Sequence, residues 1–171
     1  MRIRREEPKD YESIASTVKQ AFDGAEHSDG NEHELVNALR NGTSYIPELA
    51  LVAEVDGKIA GYIMFTKARL GEHIVLALAP LAVLPKYQKQ GIGTALIKEG
   101  HRIANESGYV YSVVLGSEEY YPRAGYLPAE NFGIKPPFDV PSVNFMAYRL
   151  NEAAPDIKEV LQYAEEFGIE E

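Results

Sequence analysis

The segment from Leu84 to Gly100, LPKYQKQGIGTALIKEG, constrains the fold more than any other part of the chain. It follows the apolar run HIVLALAPLAVLP, which has the composition of a buried strand, and it leads into an amphipathic run typical of a helix. Gly91 and Gly93 lie where that helix would begin. Glycine lets another group approach the backbone, and a helix start offers unpaired N–H groups at the positive end of a dipole. The segment therefore predicts a strand–loop–helix unit with an anion site, most often for phosphate.

The chain before this unit predicts a short strand over residues 2–6 and two amphipathic helices, one beginning near Pro8 and one ending at Gly42. Two β-rich runs then meet at Asp56-Gly57, which is a strong hairpin signal. Pro80 stands inside the next apolar run, and proline cannot donate a ladder hydrogen bond. We therefore expect a bulge or break near Pro80.

The chain after this unit predicts a buried strand, a short helix from Ser117 to Gly125, a Pro- and Gly-rich loop over 127–142, a further strand and a final helix over 154–168. The predicted order is β-α-α-β-β-β-α-β-α-β with a C-terminal helix. Helices mixed with an early hairpin and a later crossover indicate one α/β domain with a mixed central sheet.

Composition excludes several classes of function. The chain has 171 residues, which suits one domain. It has no cysteine, so disulfides and thiolate chemistry are excluded. Its net charge of −9 argues against nucleic acid as the main partner, because a phosphate backbone needs a basic surface. No apolar run approaches the ~20 residues of a membrane span, and the N-terminus lacks the pattern of a secretory signal. We expect no membrane association and a cytoplasmic location.

Two kinds of phosphate loop do not fit the glycine pattern. A nucleoside-triphosphate loop requires GxxxxGK followed by Ser or Thr, and that spacing does not occur. A dinucleotide fingerprint requires GxGxxG, and the stretch from Gly91 to Leu96 lacks the third glycine. No acidic residue ends a strand about 20 residues later, as that fingerprint also requires. A third kind of loop remains.

Two motifs together resemble those of the GNAT superfamily of acyl-CoA-dependent N-acetyltransferases. Gln88, Gly91 and Gly93 form a QxxGxG loop after the strand end LAVLP, and YYPRAGY follows from Tyr120 to Tyr126. Within this superfamily, LGSEEYYPRAGY followed by PPFDVPSVNFMAYRL is similar to the YhbS-like group. The resemblance covers residues 1–150 and implies a GNAT-like domain whose central sheet has a splayed strand pair. Residues 151–171 would be a helical extension of the same domain.

The resemblance also implies a co-substrate, acetyl-CoA, and a set of site residues. Backbone N–H groups of residues 89–94 would hold the pyrophosphate with the Gln88 side chain, and a splayed strand at Leu81–Val83 would offer its backbone to the pantetheine arm. Val83 N–H would polarise the thioester carbonyl, Tyr121 would be the general acid, and Tyr120 would pack. The implied cofactor-binding residues are Leu81, Ala82, Val83, Gln88, Lys89, Gln90, Gly91, Ile92, Gly93 and Thr94.

Two positions depart from the family pattern. Many relatives have Asn where this chain has Val114, which removes one contact to the pantetheine arm, and Phe where it has Ala124. The sequence identifies no single base that deprotonates the substrate: Glu72, His73 and Glu118 are open candidates, and a chain of water molecules is a further alternative. His27 and His33 flank acidic residues, but their spacing matches no metal motif, so we expect no metal site.

The predicted activity is transfer of an acetyl group from acetyl-CoA to a primary amine of a small molecule or a protein. Two alternatives remain open: a module that binds or senses acyl-CoA without turnover, and a transferase for another acyl group or a hydroxyl or thiol acceptor. A homodimer is one open oligomeric state. An acidic run either forms a solvated loop or attracts a cationic amine, and its members are Asp23, Glu26, Asp29, Glu32 and Glu34.

Overall fold

Eight strands form one mixed sheet in the computed structural model, which describes residues 1–24 and 30–169. The strands are β1 (Arg2–Arg5), β2 (Tyr45–Val55), β3 (Lys58–Leu70), β4 (His73–Val83), β5 (Tyr111–Leu115), β6 (Leu127–Pro128), β7 (Phe145–Arg149) and β8 (Leu161–Gln162). Their order is β1-β2-β3-β4-β5-β7-β6, and β8 pairs with β3. The β4–β5 pair is parallel and the others are antiparallel. The predicted α/β class and mixed sheet are confirmed.

In the part of the chain that the structure describes, three α-helices cover the two faces of this sheet: α1 (Tyr11–Phe22), α2 (Glu32–Arg40) and α3 (Ile92–Glu106). One apolar cluster fills the face under α3, and a second fills the face under α1 and α2. A third lies where β4, β5 and β7 meet the 127–142 loop and the C-terminal segment. No helix in the described residues is long and apolar enough to cross a bilayer.

The hairpin and the bulge lie where the sequence predicts them. Asp56 and Gly57, between β2 and β3, both have positive φ, 51° and 76°, as a two-residue hairpin turn of type I′ requires. On β4, Leu81 pairs with Ile63 and Leu78 pairs with Phe65, so two residues of β4 oppose one of β3. The extra residue falls at Ala79-Pro80, which is a β-bulge.

A buried ion pair anchors α2 to the sheet. Glu6, just after β1, accepts hydrogen bonds from Nε and Nη2 of Arg40 at 2.9 and 2.7 Å. The hydroxyl groups of Tyr45 and Tyr62 donate to the same carboxylate at 2.5 and 2.9 Å. Because four donors satisfy it, this carboxylate is stable when buried, and α2 is held in one position against β2 and β3.

Two predicted helices are wrong. The 117–125 segment contains only a 3-10 turn, Tyr121–Ala124. The C-terminal segment over 154–168, predicted as a helix from its apolar spacing, is extended, with β8 and a 3-10 turn at Glu165–Phe167. Its backbone bonds to other parts of the chain: Leu161 N–H donates to the carbonyl of Lys135, and β8 pairs with β3. These long-range bonds outweigh the local preference for a helix.

Candidate active site

Strands β4 and β5 separate halfway along their length. Their parallel ladder joins Leu76 to Ser112 and Ala77 to Val113, and it ends there. Beyond it β4 continues to Val83 while β5 ends at Leu115. The bulge at Ala79-Pro80 lies at the start of the open part of β4. The central sheet therefore has the splayed pair that the resemblance implies, and the open edge of β4 carries backbone groups that no strand of the described residues covers.

Hydrogen-bond alternation shows which backbone groups of β4 face this opening. Leu84 N–H donates to the carbonyl of Ala60 at 2.8 Å, on the β3 side. Along a strand of an antiparallel pair, the backbone N–H and C=O groups of successive residues point alternately toward and away from the partner strand. Those of Ala82 therefore also face β3, whereas those of Leu81 and Val83 point to the opening. The Val83 carbonyl accordingly lies away from β3 and accepts a hydrogen bond from Gln88 Nε2 at 3.0 Å.

A cleft of about 1050 Å³ occupies the opening. Most of the predicted site residues line it: Leu81, Val83, Gln88, Lys89, Gly91, Ile92, Gly93, Thr94 and Tyr121. Two do not. Ala82 packs its side chain into the core under α1 and α2, and Gln90 donates from Nε2 to the carbonyl of Lys86 at 3.2 Å.

The glycine loop turns the chain sharply into α3. Gly91, the N-cap residue, has φ +87°, and Lys89 has φ +63°, a conformation that is uncommon for a residue with a side chain. The first bond of the α3 ladder runs from Ala95 N–H to the Gly91 carbonyl, at 3.0 Å. The N–H groups of Ile92 to Thr94 precede that ladder, so they point out of the helix start at the positive end of its dipole.

Two tyrosines stand on the opposite wall. Tyr120 and Tyr121 are half-buried and meet edge to face, with ring centroids 5.1 Å apart. The Tyr121 ring lies against Gly116, just after β5, where a Cβ would be 2.4 Å from the ring. Burial raises the pKa of the Tyr121 phenol well above its usual value, so the phenol stays protonated at neutral pH.

A chain of buried polar side chains, which no sequence pattern predicts, supports this wall from behind. The Tyr126 hydroxyl contacts His101 Nε2 at 2.9 Å and Ser112 Oγ at 2.8 Å. The His101 ring stacks on Tyr148, with centroids 4.2 Å apart. Burial lowers the pKa of His101 to about 4, so the imidazole is neutral. The chain joins α3, β5 and β7 immediately beneath Tyr121, whose ring meets that of Tyr126.

None of the three candidate bases lines the cleft. Glu72 and His73 are at the far end of β4, about 30 Å from Val83 at the usual rise of a strand. Glu118 is exposed and accepts a hydrogen bond from Asn144 Nδ2 at 2.6 Å. Val114 and Ala124, the two departures from the family pattern, belong to the core under α3. Residues 1–24 and 30–169 contain no group of three or more acidic, His or Cys side chains that could hold a metal.

The helices α1 and α2 supply the remaining wall, which is apolar except for one carboxylate. Phe22 and Leu35 line the cleft together with Glu32. Of the other acidic residues in the predicted run, Asp23 and Glu34 are exposed and do not line it. The rest of the run, Glu26 and Asp29, and the neighbouring His27 lie outside the described residues.

The family to which the sequence is similar agrees with this arrangement of splayed strands, glycine loop and tyrosine pair. The acetyltransferase (GNAT) family matches residues 9–126, more than half of the chain. The chain belongs to the GNAT family of acetyltransferases. The same 118 residues contain the strand β4, the glycine loop, α3 and the motif that ends at Tyr126.

Relatives within the family extend the match to the whole chain. The uncharacterized N-acetyltransferase YhbS of Escherichia coli is 33% identical over 172 residues, covering 98% of this chain and 99% of that protein. YjhQ of E. coli, also an uncharacterized N-acetyltransferase, is 38% identical over 115 residues, which is 64% of each protein.

Two solved structures share the fold. The crystal structure of E. coli YhbS in complex with CoA has a TM-score of 0.89, at 30% identity, and the match covers 98% of this chain and 91% of that one. A GNAT acetyltransferase from Brucella melitensis in complex with acetyl-CoA has a TM-score of 0.81, at 31% identity, covering 97% of both. The predicted GNAT family and fold are therefore confirmed.

Proposed function

We propose that the protein transfers an acetyl group from acetyl-CoA to a primary amine by direct attack of the amine on the thioester. The observation that carries the proposal is the cleft between β4 and β5, with a helix start at one wall and a protonated phenol at the other. The E. coli and Brucella relatives bind CoA and acetyl-CoA in their structures, which supports this co-substrate.

In this proposal the glycine loop holds the pyrophosphate. The N–H groups at the start of α3, together with those of residues 89–91, supply donors at the positive end of the helix dipole. Lys89 adds a positive charge on the cleft wall. The Gln88 amide already bonds to the Val83 carbonyl, so we assign it to fixing the loop against the end of β4, with its second amide hydrogen left for the cofactor.

The open edge of β4 would receive the pantetheine arm as an added strand, because the backbone groups of Leu81 and Val83 face the cleft and not β3, although the Val83 carbonyl already accepts a hydrogen bond from Gln88. Val83 N–H is the donor nearest the end of that edge. We assign it to the thioester carbonyl oxygen, whose negative charge grows as the amine attacks and is stabilised by a fixed donor.

Direct attack forms one bond and breaks another. The neutral amine nitrogen bonds to the carbonyl carbon and loses one proton to solvent as the amide forms, while the C–S bond breaks and CoA leaves as a thiolate that must gain a proton. Tyr121 supplies that proton, and recovers it from solvent, or it donates a hydrogen bond to the sulfur. Burial raises the pKa of its phenol, whereas a free thiol titrates near ~8.5, so full transfer is uphill. Its contribution should therefore lie at the lower end for a positioned acid.

The wall formed by α1 and α2 supports an amine as the acceptor. Glu32 is half-buried and lines the cleft, and its carboxylate would attract an ammonium group. Glu32→Gln should raise KM for a cationic amine several-fold at low ionic strength and leave KM for acetyl-CoA unchanged. Glu34→Gln, on the same helix but exposed and outside the cleft, is the matched control. An equal effect of both changes would assign the result to the general charge of the surface.

The experiment that tests the activity measures thiol release from acetyl-CoA across a panel of acceptors. Each primary amine, with an apolar, polyamine, aminoglycoside or peptide body, is paired with the alcohol or thiol of the same skeleton. We expect at least one amine to accelerate thiol release and its hydroxyl partner to leave the rate at background. Tight CoA binding without acceleration by any acceptor would instead identify a binding module, and a faster reaction with alcohols would identify an O-acyltransferase.

A further inference from the structure

Gly93 lies in the first turn of α3, where its backbone does not require glycine. It is part of a regular helix and, unlike Gly91, it does not have positive φ. A Cβ placed on Gly93 would lie 2.1 Å from the hydroxyl oxygen of Tyr120 and 3.3 Å from the ring carbon that bears it. The next nearest atom is a methyl carbon of Leu81, at an ordinary 3.7 Å. The Tyr120 hydroxyl alone therefore excludes a side chain at position 93.

This contact joins the two walls of the cleft. Tyr120 immediately precedes the 3-10 turn that carries Tyr121, and Gly93 belongs to the helix start. The Tyr120 ring meets Tyr121 edge to face, its hydroxyl reaches Gly93, and it interacts with the Thr94 side chain. Burial raises the pKa of the Tyr120 phenol, with opposing contributions from the Thr94 hydroxyl and from Arg123, so the group is neutral at physiological pH.

We propose that Tyr120 is a positioning residue: its hydroxyl rests on Gly93 and sets the distance between the helix start that holds the cofactor and the turn that carries Tyr121. The proposal rests on the proposed function for its cofactor. In this proposal Tyr120 determines the width of the cleft and is more than a packing residue. Position 93 is glycine because a side chain there would collide with the Tyr120 hydroxyl.

The proposal predicts a rescue. Gly93→Ala should force the hydroxyl of Tyr120 away by about 1 Å and weaken CoA binding about 10-fold or more, because overpacking at a fixed contact moves both walls. Tyr120→Phe removes the clashing atom together with the spacer, so by itself it should weaken CoA binding measurably, by about two- to five-fold. In Gly93→Ala/Tyr120→Phe the nearest ring carbon is 3.3 Å from the new methyl group, so CoA binding should return to within about three-fold of Tyr120→Phe alone.

The four proteins are compared by calorimetric titration with CoA and by their melting temperatures without ligand. Gly93→Ala should melt at a lower temperature than the wild type, and the double variant should recover most of that loss. An equal loss of CoA affinity from Gly93→Ala in both backgrounds would overturn the proposal, because Gly93 would then serve the ligand directly. Wild-type affinity in Gly93→Ala would overturn it as well.

The melting temperatures keep this test separate from the proposed function. If the wild type binds no CoA, the proposed function fails, while recovery of stability in the double variant still reports the Tyr120–Gly93 contact. Turnover gives a further distinction: Gly93→Ala should raise KM for acetyl-CoA and lower kcat, since it moves the turn that carries Tyr121. A loss of folded protein alone would lower the apparent kcat and leave KM unchanged, so the rise in KM, and its recovery in the double variant, report the geometry of the cleft.

Discussion

Tyr121 is the residue whose chemistry the proposed reaction depends on most. Tyr121→Phe removes one hydroxyl and keeps the ring that packs on Gly116 and Tyr126, so folding and cofactor binding should survive. We expect kcat to fall by about 10²-fold, because the raised pKa of the phenol limits its strength as an acid. KM for acetyl-CoA should change little, since the hydroxyl acts on charge that develops in the transition state.

The neighbouring hydroxyl provides the control. Tyr120→Phe makes the same chemical change on the adjacent residue, and it should lower kcat far less than Tyr121→Phe. Steady-state kinetics from pH 6 to 9 measure both variants. Equal losses of kcat would point to a packing effect shared by the two rings, and near wild-type turnover of Tyr121→Phe across this range would mean that water or another group protonates the thiolate.

At the scale of elements, α3 has a glycine with positive φ at each end, and the same substitution at the two glycines gives a matched comparison. Gly91 at its start has φ +87° and Gly108 beyond its end has φ +89°, and a Cβ at either position meets no atom within 4 Å. A side chain at either position should therefore lower the free energy of unfolding by a similar amount, about 1–2 kcal/mol, through backbone strain. Only Gly91 lies on the cleft.

Gly91→Val should therefore abolish the rise in melting temperature that acetyl-CoA produces, whereas Gly108→Val should retain it. A ligand at 100 times its Kd stabilises a protein by about 2.7 kcal/mol, which a thermal melt detects readily. Protection lost equally in both variants would show that α3 as a whole has been disturbed. Full protection of Gly91→Val would remove the glycine loop from the cofactor site.

The C-terminal segment shows where local pattern fails. Ile157, Val160 and Leu161 have the spacing of a helix face, yet Ile157 and Leu161 are buried while Val160 is 45% exposed. Leu161→Ala should lower the free energy of unfolding by about 2–5 kcal/mol, and Val160→Ala by less than about 0.5 kcal/mol. Urea denaturation measures both. Similar costs at the two positions would support the helix that the spacing suggests.

For the whole molecule, sequence predicted the parts of the site that are contiguous in the chain. The glycine loop and the Tyr120–Tyr126 motif each carry their own signal within a few residues, and the hairpin and the bulge follow from backbone chemistry at Asp56-Gly57 and Pro80. Other features required the fold. Glu32 lines the cleft from α2, a helix that a buried ion pair anchors to the sheet, and His101 meets Tyr126 across 25 residues of chain.

That buried histidine makes the stability of the whole domain depend on pH. Burial lowers the pKa of His101 in the folded protein to about 4, against about 6.5 when unfolded. Between these values the unfolded chain binds more protons than the folded one. The stability contributed by the neutral imidazole is thus complete above pH 6.5 and is lost as pH falls through 4, by about 3 kcal/mol at most.

His101→Gln removes the titrating group and should flatten the pH dependence of the free energy of unfolding between pH 7 and 4, while lowering its value at pH 7 because the stack on Tyr148 is lost. Urea denaturation at several pH values measures both effects. His73→Gln, at the exposed start of β4, is the control for loss of a histidine. If His101→Gln, like His73→Gln, keeps the pH dependence of the wild type, the loss of stability in acid does not come from the hydrogen bonds that join His101 on α3 to Ser112 on β5 through Tyr126.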